Sequence, residues 1–273
     1  MARIAVLQMT SGIDPEANYA VISQAAVNAR EAGAAVLFTP EMALLLDRDR
    51  KRASGWIDSD APDRMLHRLA ELQRELGLAI AIGSMPVAGG KGRWLNRSFF
   101  FGGNPEQQQQ HYDKIHMFDV KLSTGEEWQE SSAYEPGNRI VTIEETPVGR
   151  LGLTVCYDLR FPAMFQALAA RRCDAIAVPA AFTVPTGKAH WHILLRARAI
   201  EASAFVIAAA QVGSHEDGRE TYGHSLVVDP WGEVLLDMGG DGPDLGFCDV
   251  DLNRVEEVRS QLPSLANARE IPN

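Results

Sequence analysis

An α/β architecture is the reading that this 273-residue chain supports. Short runs rich in Val, Ile and Phe recur along it, and several are separated by stretches whose apolar residues repeat with helical spacing. Turn chemistry adds that pairing is partly antiparallel, because Gly89-Gly90-Lys91-Gly92 lies between two apolar runs and suits a hairpin. No composition shift marks a linker and no repeat period is visible, so residues 1–273 are expected to form a single unit.

Ile4 to Met9 is the first predicted strand. Asp14 then fits an N-cap, with Pro15 at the first helical position and Gly33 past the helix end. Ala35 to Phe38 is a second buried strand, which puts Thr39-Pro40-Glu41 at a strand's C-terminal end. Met65, Leu69, Leu72 and Leu76 mark one helical face before the stop at Gly77. Ala79 to Ile82 and Trp94 to Phe101 are the hairpin strands, and Gln107 to Gln110 is a brief polar turn. Val148 to Val155 leads straight into Cys156, after which Phe161-Pro162 opens a helix reaching about Arg171. Strand Ala175 to Val178, helix His190 to Ala202 and strand Phe205 to Ala210 follow. Ser225 to Val228, a turn over 229–232, Val234 to Asp237 and a strand near Phe247 to Val250 complete the pattern.

Charge and cysteine usage narrow the function. Asp plus Glu exceed Lys plus Arg by 36 to 26, and the resulting net −10 repels phosphate backbones, so nucleic acid is an unexpected partner. The longest mainly apolar run, Ala202 to Val212, falls well short of the roughly 20 residues that cross a bilayer, and no membrane segment is expected. The N-terminal apolar stretch is broken by Gln8 and is too short for a signal segment. Cys156, Cys173 and Cys248 form an odd set without a C-x-x-C pair, which argues against a disulfide framework and a zinc site and fits a reducing cytoplasm. His190 and His192, two apart on a helix, face different ways, so no metal and no cofactor are expected.

Cys156 is the sharpest chemical feature. It lies between a buried strand and a helix start, where unpaired N–H groups and the helix dipole favour a thiolate, although a small buried hydrophobe is the alternative for any cysteine. Cys173 and Cys248 lack a following helix start and read as core. A thiol that attacks a carbonyl needs a base and then an acid, and one carboxyl can serve as both; Glu41 is placed for it, or else is simply an exposed strand end. Buried and ionised, Glu41 would need a cation, and Lys114 is one candidate that is otherwise a solvated lysine.

Three spaced blocks carry a resemblance. Thr39-Pro40-Glu41, Tyr112-Asp113-Lys114-Ile115-His116 and the stretch Gly152 to Pro162 around Cys156 resemble the three signatures of the nitrilase superfamily, the carbon–nitrogen hydrolases. Gly187-Lys188-Ala189-His190-Trp191 and Tyr222 to Gly232 extend the similarity from residue 3 to about residue 262. The resemblance implies a four-layer α-β-β-α sandwich and a Glu–Lys–Cys triad carried by Glu41, Lys114 and Cys156. A second glutamate of the family falls on Glu130, with Glu126 and Glu127 as alternatives of register. The implied chemistry is hydrolysis of a small linear amide to a carboxylic acid and ammonia through a cysteine thioester, with the Tyr157 N–H and Lys114 holding the oxyanion. Arg160, at the expected pocket rim, is a candidate for a substrate carboxylate.

True nitrilases of the superfamily commonly show Cys-Trp-Glu, whereas Cys156-Tyr157-Asp158 resembles the amidase branches. Within those, Ala189-His190-Trp191, Leu194 to Glu201 and Ala208 to Gln211 look most like deaminated glutathione amidases. Omega-amidases acting on 2-oxoglutaramate, and acyltransferases using the same triad, are the alternatives. The family also implies a homodimer or larger homo-oligomer paired through helices near the nucleophile and a C-terminal tail, here residues 262–273 beginning at Leu262-Pro263-Ser264-Leu265.

Overall fold

The structure is a computed structural model that describes residues 1–90, 92–102, 110–121, 125 and 127–270. Ala2–Gln8 (β1), Val36–Phe38 (β2), Ala79–Ala88 (β3), Trp94–Phe101 (β4) and Gln110–Asp113 (β5) join Asp244–Val250 (β16) in one six-stranded sheet of order β16-β1-β2-β3-β4-β5. Two short strands, Asp119–Lys121 (β6) and Glu127–Gln129 (β7), form a separate hairpin. Thr142–Thr146 (β8), Gly149–Leu153 (β9), Ala175–Ala177 (β10), Phe205–Ala208 (β11), Leu226–Val228 (β14) and Val234–Asp237 (β15) form the second six-stranded sheet, of order β15-β14-β11-β10-β9-β8. Val212–Ser214 (β12) pairs antiparallel with Glu220–Tyr222 (β13).

The alternation of side chains on β1 shows how the layers are built. Ile4 and Val6 face the second sheet and share a core with Leu151, Leu153, Ile176 and Val206, while Ala5 and Leu7 face the other way. That outer face packs against Pro15–Glu31 (α1) and Ala61–Leu76 (α3) through Ile22, Ala26, Met65 and Leu69. On the far side, Pro162–Ala170 (α4) and Val184–Ala202 (α5) cover the second sheet through Phe165, Leu168, Trp191 and Leu195. The result is an α-β-β-α sandwich, with hydrophobic burial worth roughly 1.5–3 kcal/mol for each large side chain as the dominant favourable term. Arg50–Ile57 (α2), Leu252–Gln261 (α6) and Ser264–Asn267 (α7) lie outside the sequence expectations.

Several sequence signals act as expected. Asp14 caps α1 by accepting from the N–H groups of Glu16 and Ala17, and Gly77 ends α3 in the left-handed conformation. The β3–β4 pair is antiparallel, although Lys91 in its turn lies outside the described residues, as do 107–109 of the polar run. Helix α5 begins at Val184, six residues before His190. Pro185 and Gly187 read as helix breakers in sequence, but Pro185 occupies the first turn, where its missing N–H costs nothing. A Cβ on Gly187 would lie 2.3 Å from the Tyr222 ring, so the glycine is there for close packing.

Candidate active site

Four chain segments deliver charged or nucleophilic groups to one place. Glu41 follows β2, whose extension is held by the Thr39 N–H bonding Ala81 O at 3.0 Å. Lys114 follows β5, and its N–H donates to Asn96 O on β4 at 2.9 Å. Glu130 opens a 3-10 turn after β7, with its carboxylate accepting from the Phe118 N–H at 2.7 Å. Cys156 follows β9; its N–H donates to Pro179 O at 2.8 Å and its φ is 48°, a left-handed conformation that a non-glycine residue adopts only when the surroundings enforce it.

Lys114 is the centre of the cluster. Its Nζ donates to Glu41 Oε1 at 2.9 Å and to Glu130 Oε1 and Oε2 at 3.0 and 2.9 Å. Glu41 Oε2 accepts from the Ala181 N–H at 2.9 Å, and the carboxylate lies close enough to the Cys156 thiol for each to shift the other's ionisation. Burial raises the Glu41 carboxyl, but the Lys114 charge, the Cys156 thiol and hydrogen bonds from Lys114 and Asn96 outweigh it and hold the group below its ordinary range. Burial likewise lowers Lys114, and the charges of Glu130 and Glu41 overcome that, so the ammonium stays protonated. Cys156 goes the opposite way from the sequence expectation of a thiolate. Burial and the neighbouring Glu41 charge push its thiol up, and the five-residue 3-10 turn that follows does not reverse this. The resting state is therefore thiol plus carboxylate.

Two residues that sequence reasoning passed over complete the arrangement. Asn96 is buried on β4, and its Nδ2 donates to both Glu41 Oε1 and Glu130 Oε1, at 2.9 and 3.2 Å. Asp158, fully buried, accepts from the Tyr112 hydroxyl at 2.7 Å, the Val155 N–H at 2.9 Å and the His116 N–H at 3.1 Å, with His116 Nδ1 also 2.7 Å away. It ties the lysine segment to the cysteine turn. The Tyr157 N–H lies at the start of that turn, where amides have no intrahelical acceptor.

The remaining candidates fall elsewhere. Arg160 stands outside the cavity lining, with its guanidinium over the rings of Phe182 and Tyr157 at 5.3 and 5.9 Å and its Nη1 3.3 Å from His190 Nδ1. Glu127 is exposed and pairs with Lys121, and Glu126 lies outside the described residues. His192 turns from His190 toward Asp237, which also meets His224. Burial pushes Cys173 up to about 12 and Cys248 up to about 11, consistent with packing roles. The cavity over Cys156 measures about 220 Å³ and continues outward past Phe118, Tyr157, Arg48 and Arg219.

Residues 3–260 match the carbon-nitrogen hydrolase family. The chain belongs to that family. As a carbon-nitrogen hydrolase of the amidase kind, it acts on C–N bonds other than peptide bonds. Among its relatives, the deaminated glutathione amidase of Yersinia enterocolitica is 41% identical over 275 residues, 98% of this chain and 93% of that one. The NitFhit protein of C. elegans superposes with a TM-score of 0.90 at 32% identity over 98% of this hydrolase, which spans only 65% of that longer chain. The amidase of Nesterenkonia sp. AN1, in a mutant whose active-site cysteine carries added acrylamide, gives a TM-score of 0.79 at 28% identity over 96% of this chain and 98% of that one.

Proposed function

We propose that this hydrolase cleaves deaminated glutathione through a Glu41–Lys114–Cys156 triad supported by Glu130. The single observation that carries the mechanism is the Glu41 carboxylate, held ionised by the Lys114 ammonium at 2.9 Å and set beside the Cys156 thiol whose ionisation it opposes. Cys156 Sγ attacks the amide carbon as Glu41 takes the thiol proton. The oxyanion is held by the Tyr157 N–H and by Lys114, which turns one of its two bonds to Glu130 toward the oxyanion and keeps the other. Glu41 returns its proton to the departing nitrogen, leaving a thioester, and then activates the water that releases the acid. Glu130 and Asn96 hold the ammonium and Glu41 in register.

The substrate assignment is supported by the Yersinia relative. Deaminated glutathione contains no primary amide at the cleaved bond, so its leaving group is the amine of cysteinylglycine, whereas 2-oxoglutaramate releases ammonia. Both yield the same acid, 2-oxoglutarate. Its release from each, compared as kcat/KM for wild type and Cys156→Ala, tests the reading: preference for deaminated glutathione supports it, preference for 2-oxoglutaramate replaces it with an omega-amidase, and an active Cys156→Ala overturns the mechanism. A second amine trapping the thioester in place of water would instead mark acyl transfer.

We also place the enzyme in the cytoplasm, since its three cysteines are unpaired and the nucleophile must stay reduced. No described helix is long and apolar enough to cross a membrane. A homodimer paired through the helices near the nucleophile is supported by exposed Ile193 and Ile200 on α5 and by exposed Trp231. Light scattering at micromolar concentration should give twice the 29.9 kDa chain mass, and a monomer alone would remove the dimer.

A further inference from the structure

The cavity over Cys156, at about 220 Å³, is smaller than the roughly 300–1,000 Å³ of sites that enclose a drug-sized ligand. It suits the acyl part of a short amide. Outside it lies a second depression, bounded by Trp128, Arg48, Pro185, Arg219 and, at its edge, Glu127 and Glu220, and the two compartments share Arg48, Trp128, Gln129, Arg219 and Glu220. The two guanidinium carbons lie 5.2 and 5.4 Å from the same Trp128 ring centroid. Indole faces attract cations; Arg219 already meets Asp217, so the charge on this ring that lacks a counter-ion among the described residues is that of Arg48, and an anion beside it would supply one.

Four of the acidic groups described around this region are engaged already. Asp217 takes Arg219 at 2.8 Å, Asp47 takes Arg52 at 2.7 Å, Glu127 takes Lys121 at 3.5 Å, and Glu220 accepts from the Ser214 hydroxyl at 3.3 Å. Arg48 has no carboxylate bonded to it among the described residues. In a chain of net charge −10, a cation without a carboxylate partner at the mouth of the active-site cavity is notable for what it can recruit.

We propose that Arg48, Trp128 and Arg219 form a leaving-group subsite that binds the carboxylate of the amine being expelled. The proposal rests on the amidase reading above. A guanidinium presents paired N–H donors that match the two oxygens of a carboxylate, and the indole covers the apolar atoms between that carboxylate and the scissile nitrogen. A primary amide gains nothing from this compartment, since its leaving group ends at the nitrogen. The subsite therefore selects an amide whose nitrogen carries a short acidic chain.

The test uses three amides of one acyl group: deaminated glutathione, the same compound with its glycine carboxylate converted to a carboxamide, and 2-oxoglutaramate. In wild type, masking the carboxylate should lower kcat/KM about tenfold. In Arg48→Gln, which changes an exposed side chain, the acid-to-carboxamide ratio should fall toward one, and preference for deaminated glutathione over 2-oxoglutaramate should drop by the same factor. A wild-type enzyme that cleaves deaminated glutathione and its carboxamide equally well overturns the subsite alone. An unchanged ratio in Arg48→Gln, or an equal loss on all three amides, does so too. A wild type active only on 2-oxoglutaramate overturns the substrate reading and the subsite together.

Discussion

Lys114 is 2% exposed yet holds two carboxylates, so its removal does more than delete an oxyanion donor. Glu41 and Glu130 would face each other without a counter-charge. Lys114→Ala should lower kcat by at least about 10²-fold and destabilise the fold by about 3–5 kcal/mol, the cost of breaking a buried ion pair from one side. Steady-state kinetics and urea titration measure the two losses, and wild-type turnover would take Lys114 out of the mechanism. The same charges fix the pH profile. With Glu41 held below the ordinary carboxylate value of about 4.3 and the Cys156 thiol above about 8.5, kcat/KM should be flat across neutral pH. An acid limb centred near pH 7 would assign the base to another group. Much of this chemistry is invisible in the chain as written. Glu41 can be suspected from its place at a strand end, but nothing local distinguishes Lys114 from a solvated lysine until its block is compared with the family. Asn96 sits mid-strand, and its role comes entirely from two carboxylates 55 and 34 residues away.

The site depends on how strand ends are brought together, and Gly83 on β3 is one place where there is no room for a side chain. A Cβ there would lie 2.1 Å from Thr39 O, 2.6 Å from Pro40 O and 2.4 Å from Pro179 Cβ. Thr39-Pro40 leads into Glu41, and Pro179 O receives the Cys156 N–H, so one methyl group displaces both partners of the thiol–carboxylate pair. Gly83→Ala should cost about 1–3 kcal/mol and most of the activity; an unaltered urea midpoint would show that the sheets can part at this point. Asp158 plays the complementary part between the β5 end and the cysteine turn. Asp158→Asn keeps the volume but removes charge-assisted acceptance from Tyr112, Val155 and His116, and should lower stability by about 1.5–3 kcal/mol with kcat falling more than KM changes. Elements with strong local signals were legible in sequence: β2, the Asp14 cap of α1, and α3 with its Gly77 stop. The polar opening of α2, Arg50-Lys51-Arg52, shows no apolar stripe, and the start of α5 was hidden by Pro185, which the first helical turn tolerates, and by Gly187, which packs against Tyr222 from another element. The strands β6 and β7, exposed at both ends, carry no apolar run to be read, unlike the equally short but fully buried β2.

Across the whole molecule, the buried titratable groups define the pH range in which the sandwich is most stable. His215 is 5% exposed, with Nδ1 2.9 Å from Ser11 O and Nε2 2.7 Å from Thr221 Oγ1, and burial holds it below its ordinary value. A depressed folded value means the contribution is complete above the unfolded value of about 6.5 and is lost as pH falls through the folded one. Glu41 acts in the same sense further down, below about 4.3. Lys114, raised when folded, contributes fully below about 10.4 and is lost as pH rises through its folded value. The net charge of −10 opposes the acid side of this trend, because approaching the isoelectric point near 5.2 relieves surface repulsion. At about 0.15 M salt, surface charges beyond roughly 8 Å are screened, whereas the buried groups are not, so the buried groups should decide the outcome. The urea midpoint is expected to be level from about pH 7 to pH 8 and to fall on both sides, the alkaline decline starting with the three raised thiols above about 8.5 and continuing with Lys114. His215→Gln should flatten the first part of the acid decline, between about pH 7 and pH 5, and leave the alkaline side unchanged. A midpoint that rises steadily from pH 8 to pH 5 in wild type would show that surface charge, rather than the buried cluster and His215, governs how this fold responds to acid.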